Sequence, residues 1–321
     1  MTTKRIILID IIRGVALIGI LFANISGIAR VPFSDAVADR NMFTFINMAF
    51  EQRFFPIFSF LFGLGLFIFM RNAERKGFSP KRLMARRLGL LILFGIAHQF
   101  LQPGEALLSY GILGFALLPF YKRSTRTILI AFVITMILGI VLTEYFVILA
   151  MFFLGLYIGQ IGYFERLADY RRPTQIVWIA SLLLTIPLLW AQQQAFTTPQ
   201  LYFGLQNLAG IVIAVAIVTS LVLWSQTEQL LKPLAAFGRM ALTNYVMQTL
   251  LVLAIALALG GLGSIALRWT PVIWLAIWPA QVLLSNIWLK RFNYGPLEWL
   301  WRWGTHGRKP TMRKLPTPTS I

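Results

Sequence analysis

Ten apolar stretches of roughly 15–23 residues follow one another along this chain with little between them. They lie near 7–28, 54–70, 86–101, 105–120, 127–143, 145–161, 175–191, 204–224, 241–259 and 269–289. Crossing a bilayer core about 30 Å thick takes about 20 apolar helical residues, because every backbone N–H and C=O must be satisfied inside the segment. The runs lack the ten-residue alternation of a transmembrane barrel strand. The expected fold is therefore all-α, a polytopic membrane helical bundle with about ten transmembrane helices. Composition agrees: 58% of residues are hydrophobic and 12% charged, about half the charged share of a soluble domain.

Charge sets the orientation. Loop 71–87 carries Arg71, Arg75, Lys76, Lys81, Arg82, Arg86 and Arg87 against Glu74 alone, and the next even-numbered loop holds Lys122, Arg123 and Arg126. Loops on the other side balance bases with acids, so both termini are expected in the cytoplasm. One transmembrane domain is expected over 1–303, followed by a flexible basic cytoplasmic tail over 304–321 with Pro310, Pro316 and Pro318. Residues 43–50 read as the start of the second span or as an interfacial or re-entrant piece. The tryptophans at 299, 301 and 303 read as a short interfacial helix.

The same ledger limits the chemistry. With no cysteine in 321 residues, disulfides and thiol catalysis are excluded, and with two histidines a His-rich zinc or haem site is not expected. No metal and no permanently bound cofactor is expected. The net charge of +18 sits at helix ends, which points to membrane lipids as partners and not to nucleic acid. Homo-oligomer formation is left open.

What remains is a handful of polar residues inside the spans, where an isolated charge costs about 2.5–3.5 kcal/mol on insertion scales. Asp10 and Arg13 stand three residues apart near the start of the first span. They form either a helix-end ion pair or, through the Arg13 guanidinium, part of a phosphate-binding inner mouth. Asn24 lies farther along the same helix. Glu51 and Arg53 flank the next span and either pair with each other or meet a substrate. Glycines 63 and 65 could admit a neighbouring helix or a lipid chain.

His98 closes the third span, with Glu105 just beyond a Pro-Gly turn and Tyr110 in the following helix. An imidazole whose tautomer is set by a carboxylate can take a proton from a hydroxyl or amine without a metal. A hydrogen-bonded histidine at a helix end is the structural alternative. Arg239, Asn244, Tyr245 and Gln248 make the densest polar motif within a span, suited either to gluing helices or to lining a substrate path.

Taken together, Leu8 to Ile20 (with Asp10-Ile11-Ile12-Arg13-Gly14), Phe58 to Gly65, Gly238 to Tyr245 and Tyr294 to Arg302 resemble the YeiB-like membrane proteins. Their C-terminal part, here about 155–303, is termed DUF418. That family is similar to the transmembrane acyltransferase superfamily, which includes the acyltransferase-3 proteins and the lysosomal heparan-glucosaminide N-acetyltransferase type. The resemblance implies a multi-pass protein of the bacterial cytoplasmic membrane. It also implies acyl transfer from a cytoplasmic donor such as acetyl-CoA to a sugar, lipid or small-molecule acceptor at the outer face. In the family pattern a His closes the third helix and an Asp opens the next, ahead of a Tyr; here these positions hold His98, Glu105 and Tyr110. Acyltransferase-3 relatives carry a His in the outer half of the first helix, where this chain has Asn24.

On this reading Arg13, with Arg239 or Arg86 and Arg87, holds the phosphates of an acyl-CoA co-substrate. His98 is the base, Glu105 its orienter, and Asn244, Tyr245 and Gln248 line the path. The alternative is transport of a lipid-linked or small anionic substrate, and the third reading is a scaffold whose polar face only joins helices.

Overall fold

The computed structural model describes residues 6–224 and 228–314. The described residues form thirteen α-helices with short 3-10 segments between some of them. In chain order these are α1 (Ile7–Ile28), α2 (Val37–Ala49), α3 (Phe55–Arg75), α4 (Pro80–Gln99), α5 (Ala106–Gly114), α6 (Thr125–Val141) and α7 (Glu144–Gln160). They are followed by α8 (Arg171–Gln194), α9 (Pro199–Leu223), α10 (Glu228–Arg239), α11 (Ala241–Ala258), α12 (Thr270–Arg291) and α13 (Pro296–His306).

Among the described residues, six helical segments are long and apolar enough to cross a membrane: Ile7–Ile28, Phe55–Arg75, Arg171–Thr197, Pro199–Leu223, Ala241–Ala258 and Leu267–Arg291. Three shorter apolar ones are Ala106–Phe120, Thr125–Val141 and Glu144–Gln160. Starts are marked locally. Pro56, Pro80, Pro199, Pro271 and Pro296 sit in first turns, where a missing N–H leaves nothing unpaired. Ser124 and Glu105 cap α6 and α5 with side-chain oxygens.

Two segments depart from the sequence reading, and a third decides against one of its alternatives. Residues 228–239, expected as loop, form α10, which packs along α1. The crossing is close: a Cβ on Gly238 would overlap the Asp10 carbonyl oxygen, and one on Gly14 would lie 2.5 Å from the Leu234 carbonyl oxygen. Residues 43–50 do not extend the second span. Residues 43–49 belong to α2, which a turn with Gln52 at φ 60° separates from α3.

The tail also differs. Part of it, placed after 303, is held: α13 runs to His306, and the segment beyond returns to α12. The Asn293 N–H donates to the Met312 carbonyl (2.9 Å) and the Lys314 N–H to the Arg291 carbonyl (3.0 Å). The Trp299 indole donates to the Pro310 carbonyl (2.8 Å). Residues 315–321 lie outside the described residues.

The glycines of the second span divide by role. A Cβ on Gly63 would overlap the Phe152 carbonyl, and one on Gly155 the Phe60 carbonyl, so α3 and α7 touch backbone to backbone there. Gly65 has nothing within 4 Å of its missing Cβ. The largest core cluster surrounds this crossing, with Leu17, Leu66, Phe67, Met70, Leu88, Phe152 and Phe237 buried together.

α2 is tied down by one buried carboxylate. The Arg268 N–H donates to Asp39 Oδ1 (2.9 Å), and its guanidinium lies 3.2 Å from Oδ2. The Arg268 N–H first, then Ser34, hold this carboxyl below the ordinary 3.8 of an aspartate. A lowered folded-state pKa stabilises above the unfolded value, and that contribution is lost as pH falls through the lowered one. The protection factors of the α2 amides are therefore expected to be constant above about pH 4 and to fall below it, whereas Asp39→Asn should lower protection at every pH.

Candidate functional site

A cavity of about 450 Å³ runs between α1, α3, α4, α5 and α11, within the range of small-molecule sites. Its lining includes both Arg13 and Asn24 on α1. Eleven residues of helix separate them, so the cavity extends about 16 Å along that axis.

One end is arginine-rich, with Arg13, Arg87, Arg239 and Arg302 all in the lining. Arg13 pairs with Asp10 at 2.9 Å. The Arg87 guanidinium lies 3.6 Å from the centre of the Trp301 ring, whose indole N–H donates to the Arg87 carbonyl at 2.8 Å. Arg239 donates to the Asn293 carbonyl (3.3 Å), and Arg302 lies over Tyr294 at 4.5 Å.

These positions follow from an interlock between two helix starts. Glu298 on α13 accepts from the Leu242 N–H (2.7 Å), the Thr243 N–H (3.1 Å) and the Thr243 hydroxyl (2.6 Å), and so caps α11. In return the Thr243 hydroxyl oxygen accepts the Leu297 N–H at 3.0 Å, capping α13. A Cβ on Gly295 would overlap the Glu298 carboxylate. Burial pushes the Glu298 carboxyl up, and the Thr243 and Leu242 donors oppose this. Two sequence landmarks thus form one structural unit that carries Arg239 and Arg302 to the cavity.

The opposite end is acidic and amide-rich, with Asn24, Glu51, Gln99, Gln102, Glu105 and Glu144 in the lining. Burial pushes the Glu51 carboxyl up; Arg53 pulls it down and Glu144 pushes it further up. Glu105 accepts the Leu107 and Leu108 N–H groups (2.6 and 2.7 Å) at the start of α5. His98 Nδ1 lies 3.2 Å from Glu105 Oε2, and Nε2 lies 3.0 Å from the Thr249 hydroxyl. That hydroxyl is also 2.8 Å from Gln102 Oε1; having one proton, it donates to one of the two. The Tyr245 ring meets the His98 ring edge-on at 5.2 Å, and the Tyr110 hydroxyl lies 2.6 Å from Ser59 Oγ.

The expected site residues separate accordingly. Arg13, Arg87, Arg239, Asn24, Glu51, Glu105, Tyr110 and Tyr245 line the cavity. His98 does not: it is buried at 3% exposure behind Glu105, with Nε2 turned to Thr249. Arg86 is exposed outside the lining, because one residue turns the helix by about 100°. Arg53 neither pairs with the Glu51 carboxylate nor reaches the cavity. Fully buried, it donates to the Glu51 and Gln206 carbonyls (2.6 and 3.2 Å) and to Gln192 (2.8 Å).

Asn244 joins helices, donating to the Phe237 carbonyl (2.9 Å) and Ser285 (3.0 Å). Gln248 likewise donates to the Leu17 carbonyl at 3.4 Å. Asp10 lies outside the lining and holds Arg13. The sequence reading missed Arg302, Glu144, Gln102 and Thr249. Two signals were present: Thr249 stands one helical turn after Tyr245, and Arg302 closes the last landmark.

Among known proteins, the family model described as "Protein of unknown function (DUF418)" matches residues 158–308. An "Uncharacterized 39.9 kDa protein in amylase 3'region" of Bacillus acidopullulyticus is 34% identical over 333 residues, covering 95% of each chain. The "Uncharacterized protein YxaH" of Bacillus subtilis (strain 168) is 35% identical over 144 residues, 40% of this chain and 36% of its own. The "Uncharacterized protein YeiB" of Escherichia coli (strain K12) is 32% identical over 121 residues, 35% of this chain and 30% of its own. No solved structure matches the chain.

Proposed function

This chain belongs to the YeiB-like DUF418 family, and from its cavity we propose that it transfers an acyl group from a cytoplasmic donor such as acetyl-CoA to a hydroxyl or amine at the outer face. The orientation assumed is ten crossings of a bacterial cytoplasmic membrane with both termini inside, supported by the bases of loop 71–87 and of 122–126. One observation carries the reading: a single cavity is lined by four arginines at one end and by Glu105 at the other.

Arginine forks suit the phosphates of an acyl-CoA, and about 16 Å of cavity leaves room for a thin arm reaching toward Glu105. At that end the acceptor oxygen or nitrogen attacks the thioester carbonyl. The C–S bond breaks as the C–O or C–N bond forms. Glu105, backed by His98, takes the acceptor's proton, which is returned to the departing thiolate. His98 thereby acts through the carboxylate that faces the acceptor.

Proteoliposomes supplied with labelled acetyl-CoA test this. Arg239→Ala and Arg302→Ala are each expected to raise the KM for the donor about tenfold or more, the size of a lost charge-assisted hydrogen bond, with kcat little changed. Transport of a small anionic or lipid-linked substrate is the second reading; the withdrawal of His98 from the cavity favours it. Uptake of an intact labelled anion without any acyl product would select it.

A further inference from the structure

A second cavity, of about 630 Å³, lies beneath α2 and shares one lining residue, Glu51, with the first. We propose that this cavity admits an amphiphilic acceptor from the leaflet opposite the basic loops and presents its hydroxyl- or amine-bearing head to Glu51. The proposal deepens the acyl-transfer reading and rests on it, because it names the class of molecule that the acidic end receives.

The lining of this cavity combines exposed aromatic rings with polar groups. Phe33, Phe43 and Phe196 line it while remaining 77%, 45% and 69% exposed. Their exposed rings offer an apolar edge to a hydrocarbon tail. Asn47, Glu51 and Tyr202 add polar groups to the half-buried part of the lining, beside the buried Ile46 and Leu267.

Glu51 is well suited to hold the head. Its neighbour Arg53 spends its guanidinium on the Glu51 and Gln206 carbonyls and the Gln192 amide, not on the Glu51 carboxylate. No described residue donates a hydrogen bond to that carboxylate. An acceptor-only group at the junction of two cavities calls for a donor, which a hydroxyl or ammonium provides and an ester or ether does not. Because Glu51 lines both spaces, a head bound there lies at the entrance to the space that Glu105 lines.

The test uses a long-chain fatty amine carrying a diazirine, its alcohol twin and the methyl ether of that alcohol, each added to proteoliposomes of the full chain. After photolysis, labelled peptides are mapped by mass spectrometry. The amine and the alcohol should label α2 and residues 193–202, and the ether should label them weakly. Glu51→Gln should cut amine labelling there about tenfold, as loss of a charge-assisted hydrogen bond predicts. Thr44→Trp, at an exposed lining position, should block the cavity without touching Glu51.

Labelling spread evenly over lipid-facing helices, or unchanged by both variants, would overturn the proposal. The two readings fail separately. Cavity labelling without acyl product in the labelled-donor assay sinks transfer and leaves the binding site, whereas product with labelling elsewhere does the reverse.

Discussion

Glu105→Gln is expected to lower acyl transfer by about 10²–10⁴-fold while leaving the protein folded and the KM for the donor unchanged. The amide keeps an oxygen that can cap α5, as Glu105 now does for the Leu107 and Leu108 N–H groups. It loses the carboxylate that faces both the cavity and His98 Nδ1. The arginines proposed to bind the donor line the other end of the cavity, so the defect belongs in kcat. His98→Ala should give a similar loss with no direct effect on the cavity wall, because His98 lies outside the lining. Glu105→Asp is expected to restore part of the rate, since it keeps the charge on a shorter arm. Initial rates in proteoliposomes, with thermal unfolding measured in parallel, check all three. A Glu105→Gln variant of wild-type rate and stability would leave the proposed chemistry without its base.

The second large effect separates two neighbouring glycines. Gly63→Val should abolish stable expression, because its side chain would fall on the Phe152 carbonyl of α7 and rigid backbone cannot yield as a side chain can. Overpacking of about 1–3 kcal/mol is the lower bound where the obstacle is main chain. Gly65→Leu should fold, since nothing lies within 4 Å of its Cβ. It should nevertheless lose most transfer, because Gly65 lines the central cavity and a leucine there occupies part of about 450 Å³. Detergent-solubilised yield with a thermal melt reads the first outcome, and rate at matched protein amount reads the second. A well-folded Gly63→Val or a fully active Gly65→Leu would contradict the packing described.

Much of the framework was legible in the residues. Every expected apolar stretch falls on helix, and the polar positions singled out on α1, α4 and α5 include Arg13, Asn24, Arg87, Glu105 and Tyr110, all in one lining. What was not legible has a common cause. Asn244 and Gln248 belong to the same polar motif as Tyr245, yet only Tyr245 reaches the cavity, since the amides are taken by Phe237, Ser285 and Leu17. Arg86 and Arg87 are adjacent, but their helix presents only one of them inward. Arg53 resembled half of an ion pair with Glu51, and instead ties the start of α3 to α8 and α9.

Membrane-length apolar runs make their backbone hydrogen bonds within themselves, so the sequence by itself determined that those runs are helical and which of the connecting segments are basic. It also determined the short list of groups able to do chemistry, because so few were present. The tertiary structure alone decided which of those groups meet. Glu298 caps α11 from 55 residues away, His98 turns Nε2 to a threonine 151 residues on, and α10 lies against α1 where two glycines permit it. Such meetings depend on helix phase and on the closeness of crossings, which are properties of neighbours and not of any one segment.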